Sequence, residues 1–351
     1  MARGRVREYG LKPGMLATGK FNTIADVNGV GVGHCTVIEG DDIRTGVTAV
    51  TPHRGNWYEE KVAAAVDVFN GYGKSVGLSQ IVNEGNIETP ILLTETLNTF
   101  KVADALIDYF PEKLGYTPKS INSVVGETNG GFLTDNQNRR IDKKEVFEAI
   151  DDALNCKGPV AEGAVGAGTP MTGYGFKGGI GTSSRKVGLT TVGVLVQLNC
   201  GRKEDLIVLG APVGREVELP AEPETSPGNS IMMIVATDVE LESRHLWKLA
   251  KRTMLGLART GSFSSNGSGD YSIAFSTSKL NRTEFIESVK ASPTGDGFMT
   301  PLYKGVVEAT EEAVLNALFK AETTKGYQGN IRYGLPIEET LAVLERHGLG
   351  K

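Results

Sequence analysis

The density of glycine in one segment is the feature that most constrains the fold of this chain. The stretch GAVGAGTPMTGYGFKGGIGTSSRKVG, residues 163–188, is bordered by apolar runs typical of strands. Glycine makes up 45 of the 351 residues, well above the usual ~7%. These glycines are scattered among apolar runs and are not gathered in a linker. We therefore expect tight turns and backbone packed close to a ligand, with plain turn formation as the alternative.

The order of apolar patterns predicts an α/β protein. Strand-like runs occupy residues 43–53, 189–201, 230–238 and 268–278, and residues 21–37 read as strand, turn, strand. Helical spacing is found over 143–154, 243–260 and 300–323; residues 60–73 begin like a helix, and residues 88–110 change from strand to helix. Strands and helices in this order predict one domain of stacked sheets flanked by helices.

The glycine-rich segment does not match a nucleotide-binding motif. Lys177 is followed by Gly178, whereas a phosphate loop requires Ser or Thr after its lysine, and the segment GAGTPM lacks the third glycine of a dinucleotide fingerprint. The four histidines form no HxxxH pair, and the three cysteines are far apart. We therefore expect no cofactor and no metal.

Composition limits the expected localisation of the protein and its expected binding partners. The net charge is −5 without any block of like charge, so we expect no binding to nucleic acid. No apolar run approaches the ~20 residues of a membrane span, and the amino-terminal residues lack the apolar core of a secretory signal. With three cysteines that suggest no disulfide framework, the simplest localisation is the cytoplasm.

The segment SPGNSIMMIVATD, residues 226–238, places a serine at the first position of a buried strand. Pro227, Gly228 and Asn229 favour a turn immediately before Ser230. A strand-entry turn is the ordinary interpretation. The alternative is that Ser230 becomes a chain end.

Several other polar residues are candidates for chemistry. Ser268 and Asp270 are two residues apart, so on a strand their side chains would share one face. Asn199 ends an apolar strand and could donate its amide to an oxyanion. Glu127 follows an apolar strand in a glycine loop and could meet a cationic group. Turn formation, capping and solvation are the ordinary alternatives for these residues. No GxSxG motif is present, so a serine nucleophile would need a base other than a neighbouring histidine.

Together these motifs resemble the L-aminopeptidase/D-esterase (D-amidase) and β-peptidyl aminopeptidase family. The resemblance extends almost from end to end and is carried by NTIADVNGVGVGH, TGVTAV, NIETPILLT, VVGETN, GAGTPMTGYGFKGGIGTSSR, VLVQLN, GNSIMMIVATD, SNGSGD and ATEEAVLNAL. Members of this family are precursors that cut themselves before a serine, which becomes the amino-terminal nucleophile. Their fold is an αββα sandwich that resembles the N-terminal-nucleophile hydrolases but has a different strand connectivity.

The resemblance implies a role for each candidate. Self-cleavage between Asn229 and Ser230 would give subunits 1–229 and 230–351. The family's second serine and carboxylate fall on Ser268 and Asp270, and its oxyanion asparagine falls on Asn199. Some members also use a tyrosine at the oxyanion; here Phe132 lies in the relevant loop and Tyr174 is another candidate, so this donor stays open. Pro170 stands where many relatives have glycine.

These roles explain why a serine stands at the first position of the strand that follows the turn. A freed Ser230 would carry a hydroxyl and an α-amine, and an α-amine with a pKa of ~7.7–8.0 can act as a base near neutral pH. We therefore expect an aminopeptidase or amidase that acts on short peptides, amino-acid amides or esters and assembles as a homo-oligomer of cleaved αβ units. The alternatives are an acyltransferase of a related fold and a non-catalytic small-molecule-binding protein.

Overall fold

The structure is a computed structural model that describes residues 3–221 and 229–349. Residues 222–228, which include Pro227 and Gly228 of the turn predicted before Ser230, lie outside the described residues. The longer strands are β1 Gly31–Glu39, β2 Ile43–Thr51, β3 Val62–Gly71, β5 Ile91–Glu95, β6 Val124–Thr128, β9 Gly179–Val187, β10 Thr190–Asn199, β11 Ser230–Val239 and β12 Gly269–Leu280. The two-residue strands are β4 Asn86–Ile87, β7 Thr172–Gly173, β8 Phe176–Lys177, β13 Thr324–Lys325 and β14 Ile331–Arg332.

The helices are distributed along the whole chain. Their bounds are α1 Leu78–Glu84, α2 Thr99–Lys113, α3 Lys143–Asn155, α4 Val213–Glu216, α5 Ser243–Ala250, α6 Thr253–Arg259, α7 Arg282–Ser288, α8 Met299–Lys320 and α9 Ile337–Arg346.

Two sheets form the centre of the fold. The smaller has the strand order β1-β2-β5-β6, and the larger has the order β4-β3-β12-β11-β10-β9. In the larger sheet, β11 runs antiparallel to β10 and parallel to β12. The short strands β7 and β8 form a separate hairpin, as do β13 and β14. The strand beginning at Ser230 therefore lies inside the larger sheet, with a neighbour on each side.

The layers follow from which apolar residues pack together. Ile91 and Leu93 of the smaller sheet pack against Ile234 and Ile273 of the larger sheet. Helices α2 and α3 cover the outer face of the smaller sheet. Helices α5, α6 and α8 cover the outer face of the larger one. The fold is thus the αββα sandwich that the sequence predicted.

The apolar run of strand β11 does not alternate with polar residues, because both faces of the strand are buried. Met233 and Val235 point toward the helical layer, and Met232 and Ile234 point between the sheets. Successive side chains of a strand alternate between faces, so the uninterrupted apolar run serves two cores. This confirms the buried strand predicted over residues 230–238.

One helical expectation is wrong. Residues 60–73 contain an alanine run near their start, and most of them form strand β3. The strand pairs with β4 on one side and β12 on the other, and Ala64 and Ala65 are buried. Alanine favours helices, but Val62, Val66 and Val68 are β-branched, and pairing within a sheet overrides a weak local propensity.

Two further segments differ in detail from the prediction. The first part of residues 21–37 is a 3-10 turn, Ile24–Asp26, and not a strand, because Thr23 and Asp26 form a capping box. The single helix expected over 243–260 is divided into α5 and α6. At the division the Thr253 hydroxyl donates to the Ala250 carbonyl at 2.7 Å, a side-chain bond that competes with the helical pattern.

Candidate active site

The candidate site lies where three strands of the larger sheet begin or end. Ser230 is the first residue of β11 and lies opposite Asn199, the last residue of β10. On the other side of β11, Ile231 lies opposite Asp270 near the start of β12. Residues far apart in sequence therefore meet at one end of this sheet.

The strand alternation indicates which layer Ser230 faces. Ser230 shares a strand face with Met232 and Ile234, which pack between the sheets. Asn199 likewise shares a face with Leu195, which belongs to the same layer. The side chain of Ser230 is half-buried, and its Oγ accepts a hydrogen bond from the Gly269 amide at 3.1 Å. The hydroxyl is therefore at the rim of the layer between the two sheets.

Ser268 and Asp270 are joined as the spacing suggested. The Ser268 hydroxyl donates to Asp270 Oδ1 at 2.5 Å, and both residues are 1% exposed. The Asn70 amide donates to Asp270 Oδ2 at 3.1 Å. Burial raises the pKa of Asp270, and the hydrogen bonds from Ser268 and Asn70 oppose this rise. The carboxyl group is held on both oxygens, so it can orient the Ser268 hydroxyl.

The side-chain amide of Asn199 is fixed at both ends. Its Oδ1 accepts from the Thr172 amide at 2.8 Å, and its Nδ2 donates to the Asn129 carbonyl at 2.9 Å. An asparagine Nδ2 carries two N–H donors, so one donor remains beyond the bond to Asn129. Because the Thr172 amide is a donor, the Asn199 atom that it contacts must be the oxygen, and the nitrogen therefore lies on the side of Asn129.

Glu127 lies within a strand, which corrects its predicted position in a glycine loop. It belongs to β6 and is 4% exposed. Its Oε1 accepts from the Lys74 amide at 2.8 Å, and Oε2 receives no hydrogen bond from the residues that the structure describes. The glycines follow the strand, so the sequence pattern placed the carboxylate a few residues too far along.

The two candidates for a second oxyanion donor have different surroundings. Tyr174 is fully buried, and its hydroxyl shares a hydrogen bond of 2.6 Å with the Thr260 hydroxyl. Burial raises its pKa. Phe132 is half-buried, with the Arg332 guanidinium 3.5 Å from its ring centroid. Their predicted roles in substrate binding remain predictions.

One buried carboxyl group was missed by the sequence analysis. Glu95 ends β5 and shares a strand face with Ile91 and Leu93, so it points between the sheets. It is 0% exposed, and among the described residues its Oε1 has no hydrogen-bond partner. Burial raises its pKa to about 8, and the nearby charge of Glu127 contributes to the rise. The only sequence signal was an acidic residue directly after an apolar strand.

A cysteine does not provide a rival nucleophile at this end of the sheet. Cys200 follows Asn199 and lines a small pocket together with Asn229 and Ser262. Burial raises the pKa of its thiol, and a raised pKa disfavours the reactive thiolate.

The described residues form neither a metal-binding cluster nor a membrane-spanning helix. Across residues 3–221 and 229–349, no group of three or more His, Cys, Asp and Glu side chains is arranged to hold a metal ion. In the same part of the chain, no helix is long and apolar enough to cross a lipid bilayer.

The four-layer fold is that of a variant of the N-terminal-nucleophile (Ntn) hydrolases. The chain belongs to peptidase family S58, whose model matches residues 22–332. It is a peptide-bond hydrolase with aminopeptidase or amidase function. The acyltransferase and binding-protein alternatives are not favoured.

Relatives match over nearly the whole chain. The β-peptidyl aminopeptidase BapA of Sphingosinicella xenopeptidilytica is 36% identical over 376 aligned residues, which cover 98% of this chain and 92% of the relative. The PH0078 protein of Pyrococcus horikoshii OT3 is 43% identical, with a TM-score of 0.88, and 98% of this chain and 100% of that one are covered. The L-aminopeptidase D-Ala-esterase/amidase of Ochrobactrum anthropi, described as a prototype for the serine aminopeptidases, is 33% identical with a TM-score of 0.87 and 99% coverage of both chains.

Proposed function

We propose that this hydrolase activates itself by cutting the Asn229–Ser230 bond and then uses Ser230 as an amino-terminal nucleophile. The observation that carries the proposal is the position of Ser230 at the start of β11, opposite Asn199 and beside the strand of Asp270. A cut at this point frees a chain end without removing any residue of the central strand. The hydroxyl and the new amine then belong to one residue held by sheet pairing.

The processing step is an N-to-O acyl shift. Ser230 Oγ attacks the carbonyl carbon of Asn229, the C–N bond breaks, and the Ser230 nitrogen takes the proton that the hydroxyl loses. Water then hydrolyses the resulting ester. The products are residues 1–229 with a new carboxyl end and residues 230–351 with a free amine.

Substrate hydrolysis repeats the same chemistry on an external bond. The Ser230 amine takes the proton of Oγ, which attacks the substrate carbonyl, and this proton then passes to the leaving amine or alcohol. The Ser268–Asp270 pair orients the Ser230 groups and stabilises the ammonium that forms. The remaining N–H of Asn199 stabilises the oxyanion. Water hydrolyses the acyl-enzyme and releases the amino acid.

Recognition of a free amino end is assigned to Glu127. Its carboxylate is buried, and only Oε1 is used by the Lys74 amide among the described residues. A substrate ammonium would pair with Oε2, whereas a capped amine would leave this buried carboxylate without a cation. The substrates are therefore short peptides, amides or esters with a free amino group, including the β-peptides that the BapA name indicates for that relative.

We further propose that the cleaved αβ units assemble into a homo-oligomer in the cytoplasm. Size-exclusion chromatography with light scattering tests this assembly, and a processed enzyme with the mass of one αβ unit would contradict it.

Intact-mass analysis of the purified protein tests self-processing. The chain of 351 residues has a mass of 37.4 kDa, so by their share of its length the two products have masses of roughly 24 and 13 kDa. Ser230→Ala should remain one inactive chain. A single uncut species that hydrolyses amino-acid amides would show that the proposed activation is wrong.

A further inference from the structure

Lys177 is a fully buried lysine whose ammonium the reaction above does not use. It ends β8 and is 0% exposed. Its Nζ donates to three backbone carbonyls, those of Gly168 at 2.9 Å, Met171 at 2.9 Å and Gly178 at 2.8 Å. Among the described residues, no carboxylate pairs with it. Burial lowers the pKa of Lys177 to about 7; in its ammonium form the side chain has three donors, and this cradle then uses all of its hydrogen-bonding capacity.

The three carbonyls belong to the segment that leads into and out of the β7–β8 hairpin. In that hairpin Thr172 lies directly opposite Lys177. The Gly178 amide also donates to the Met171 carbonyl at 2.9 Å. The ammonium therefore ties the residue just before Thr172 to the residue just after Lys177.

The hairpin is clamped to the end of β10. The Thr172 amide donates to Asn199 Oδ1 at 2.8 Å, and the Tyr174 amide donates to the Cys200 carbonyl at 2.9 Å. Thr172 thus presents its backbone donor to a side chain at one end of the larger sheet. A displacement of the hairpin would move this donor away from the Asn199 amide.

The glycines show how closely the hairpin approaches β10. A Cβ at Gly178 would lie 2.5 Å from the Leu198 carbonyl oxygen, and a Cβ at Gly173 would lie 2.6 Å from Leu198 Cδ2. At Gly178 only glycine permits this approach without displacement of the backbone, whereas at Gly173 a Cβ would displace the Leu198 side chain. The Lys177 side chain holds this loop from inside, and the Lys177 amide also donates to the Tyr333 carbonyl at 2.7 Å.

We propose that Lys177 is a positioning residue for the Asn199 amide. Through its three carbonyl bonds it holds the Thr172 N–H on Asn199 Oδ1, and this keeps an Nδ2 donor directed at the reacting carbonyl. The proposal rests on the oxyanion role given to Asn199 under the proposed function. A donor displaced by about 1 Å can cost on the order of 10²-fold in rate.

The expected signature is a loss in kcat with little change in KM, because Asn199 acts on the transition state and not on substrate binding. A lysine that merely stabilised the fold would instead lower the melting temperature and leave the kcat of the processed, folded enzyme unchanged. The two roles therefore separate when kcat is normalised to the processed fraction measured by intact mass.

The experiment measures kcat and KM for an amino-acid p-nitroanilide with Lys177→Met, Asn199→Ala and the double variant. We expect Lys177→Met to lose about 10- to 10²-fold in kcat, with KM within about threefold of wild type. In the Asn199→Ala background, Lys177→Met should cause no further loss, because residues that act through one another are not additive. Lys320→Met is the matched control: its Nζ donates to the Arg3 carbonyl, remote from Asn199 in the hydrogen-bond network, and we expect wild-type kcat.

Lys177→Gln, which keeps two N–H donors, replaces Lys177→Met if the latter does not fold, and we expect it to retain intermediate activity. Wild-type kcat in a folded Lys177 variant, or the same loss with and without Asn199, would overturn the proposal. Wild-type kcat in Asn199→Ala would instead remove the oxyanion role from the proposed function. In that case the crystal structure of the Lys177 variant decides: an unchanged Thr172–Asn199 bond overturns the positioning role.

Discussion

Ser230 and Asn199 lie opposite each other in the β10–β11 ladder, one at the beginning of its strand and the other at the end of its strand. Residues opposite each other on neighbouring strands have their Cβ atoms about 4.5–5.5 Å apart. At this separation a nucleophile can reach the carbon of a carbonyl group while an oxyanion donor contacts its oxygen. The donor is also oriented before any substrate arrives, because the Thr172 amide fixes its Oδ1.

Removal of the Asn199 amide should therefore lower kcat. We expect Asn199→Ala and Asn199→Asp to lose about 10²- to 10³-fold in kcat, the usual effect of removing one oxyanion donor. Asp is informative because it keeps an acceptor for the Thr172 amide but has no N–H. Steady-state kinetics of the processed enzyme provide the measurement, and Asn199→Asp with wild-type kcat would contradict the role.

The Ser268–Asp270 pair should contribute to proton transfer. Ser268→Ala and Asp270→Asn remove or weaken the 2.5 Å hydrogen bond between the two side chains, and we expect losses of ~10²- to 10⁴-fold in rate. Ser272→Ala is a matched control on the same strand, because Ser272 is buried and its hydroxyl has no hydrogen-bond partner in the structure. Near wild-type kcat in either test variant, at unchanged thermal stability, would refute the assignment.

Glu127 should distinguish free from capped amino ends. A buried carboxylate left without its cation costs ~1–3 kcal/mol or more, so N-acetylation of a dipeptide amide should lower kcat/KM by about 5- to 10²-fold or more. In Glu127→Gln this preference should largely disappear, while the Gln oxygen can still accept from the Lys74 amide. Equal cleavage of both substrates by the wild type would exclude ammonium recognition. Equal discrimination by both proteins would assign it to another residue.

Glu95 should make the stability of the fold depend on pH. Its pKa is about 8 in the folded protein, whereas an unfolded glutamate has a pKa of ~4.3. Between these values the folded state holds a proton that the unfolded state has lost, so the free energy of unfolding falls as pH rises through this window. In Glu95→Gln this fall should be absent.

Urea unfolding at pH 5 and pH 8 measures the effect. Glu95→Gln and its control variant are made in the Ser230→Ala background, where we expect one uncut chain and therefore no subunit dissociation. Exposed Glu240 provides the control, and Glu240→Gln should keep the pH slope of its parent. If Glu95→Gln also keeps that slope, Glu95 is ionised in the folded protein across this range.

Local patterns in the sequence were enough to predict the layered architecture and most of the candidate residues. Short apolar runs such as residues 230–238 predict strands buried on both faces, and such strands require a layer of structure on each side of the sheet. The turn directly before Ser230 and the two-residue spacing of Ser268 and Asp270 are local patterns, so they were visible without a structure. The resemblance to a family rested on the same local motifs.

The contacts between residues distant in sequence could be seen only in the tertiary structure. The alanine run of β3 reads as a helix until the strand is paired on both sides, because sheet pairing is a long-range interaction. Glu95 looks like an ordinary strand-end acid, and only the second sheet above it removes the water that would otherwise hydrate its charge. The cradle of Lys177 depends on a loop closing around its ammonium. The burial of Glu95 and the partners of Lys177 are set by what the fold brings near them, because those groups come from distant parts of the chain or from loops that only the fold closes.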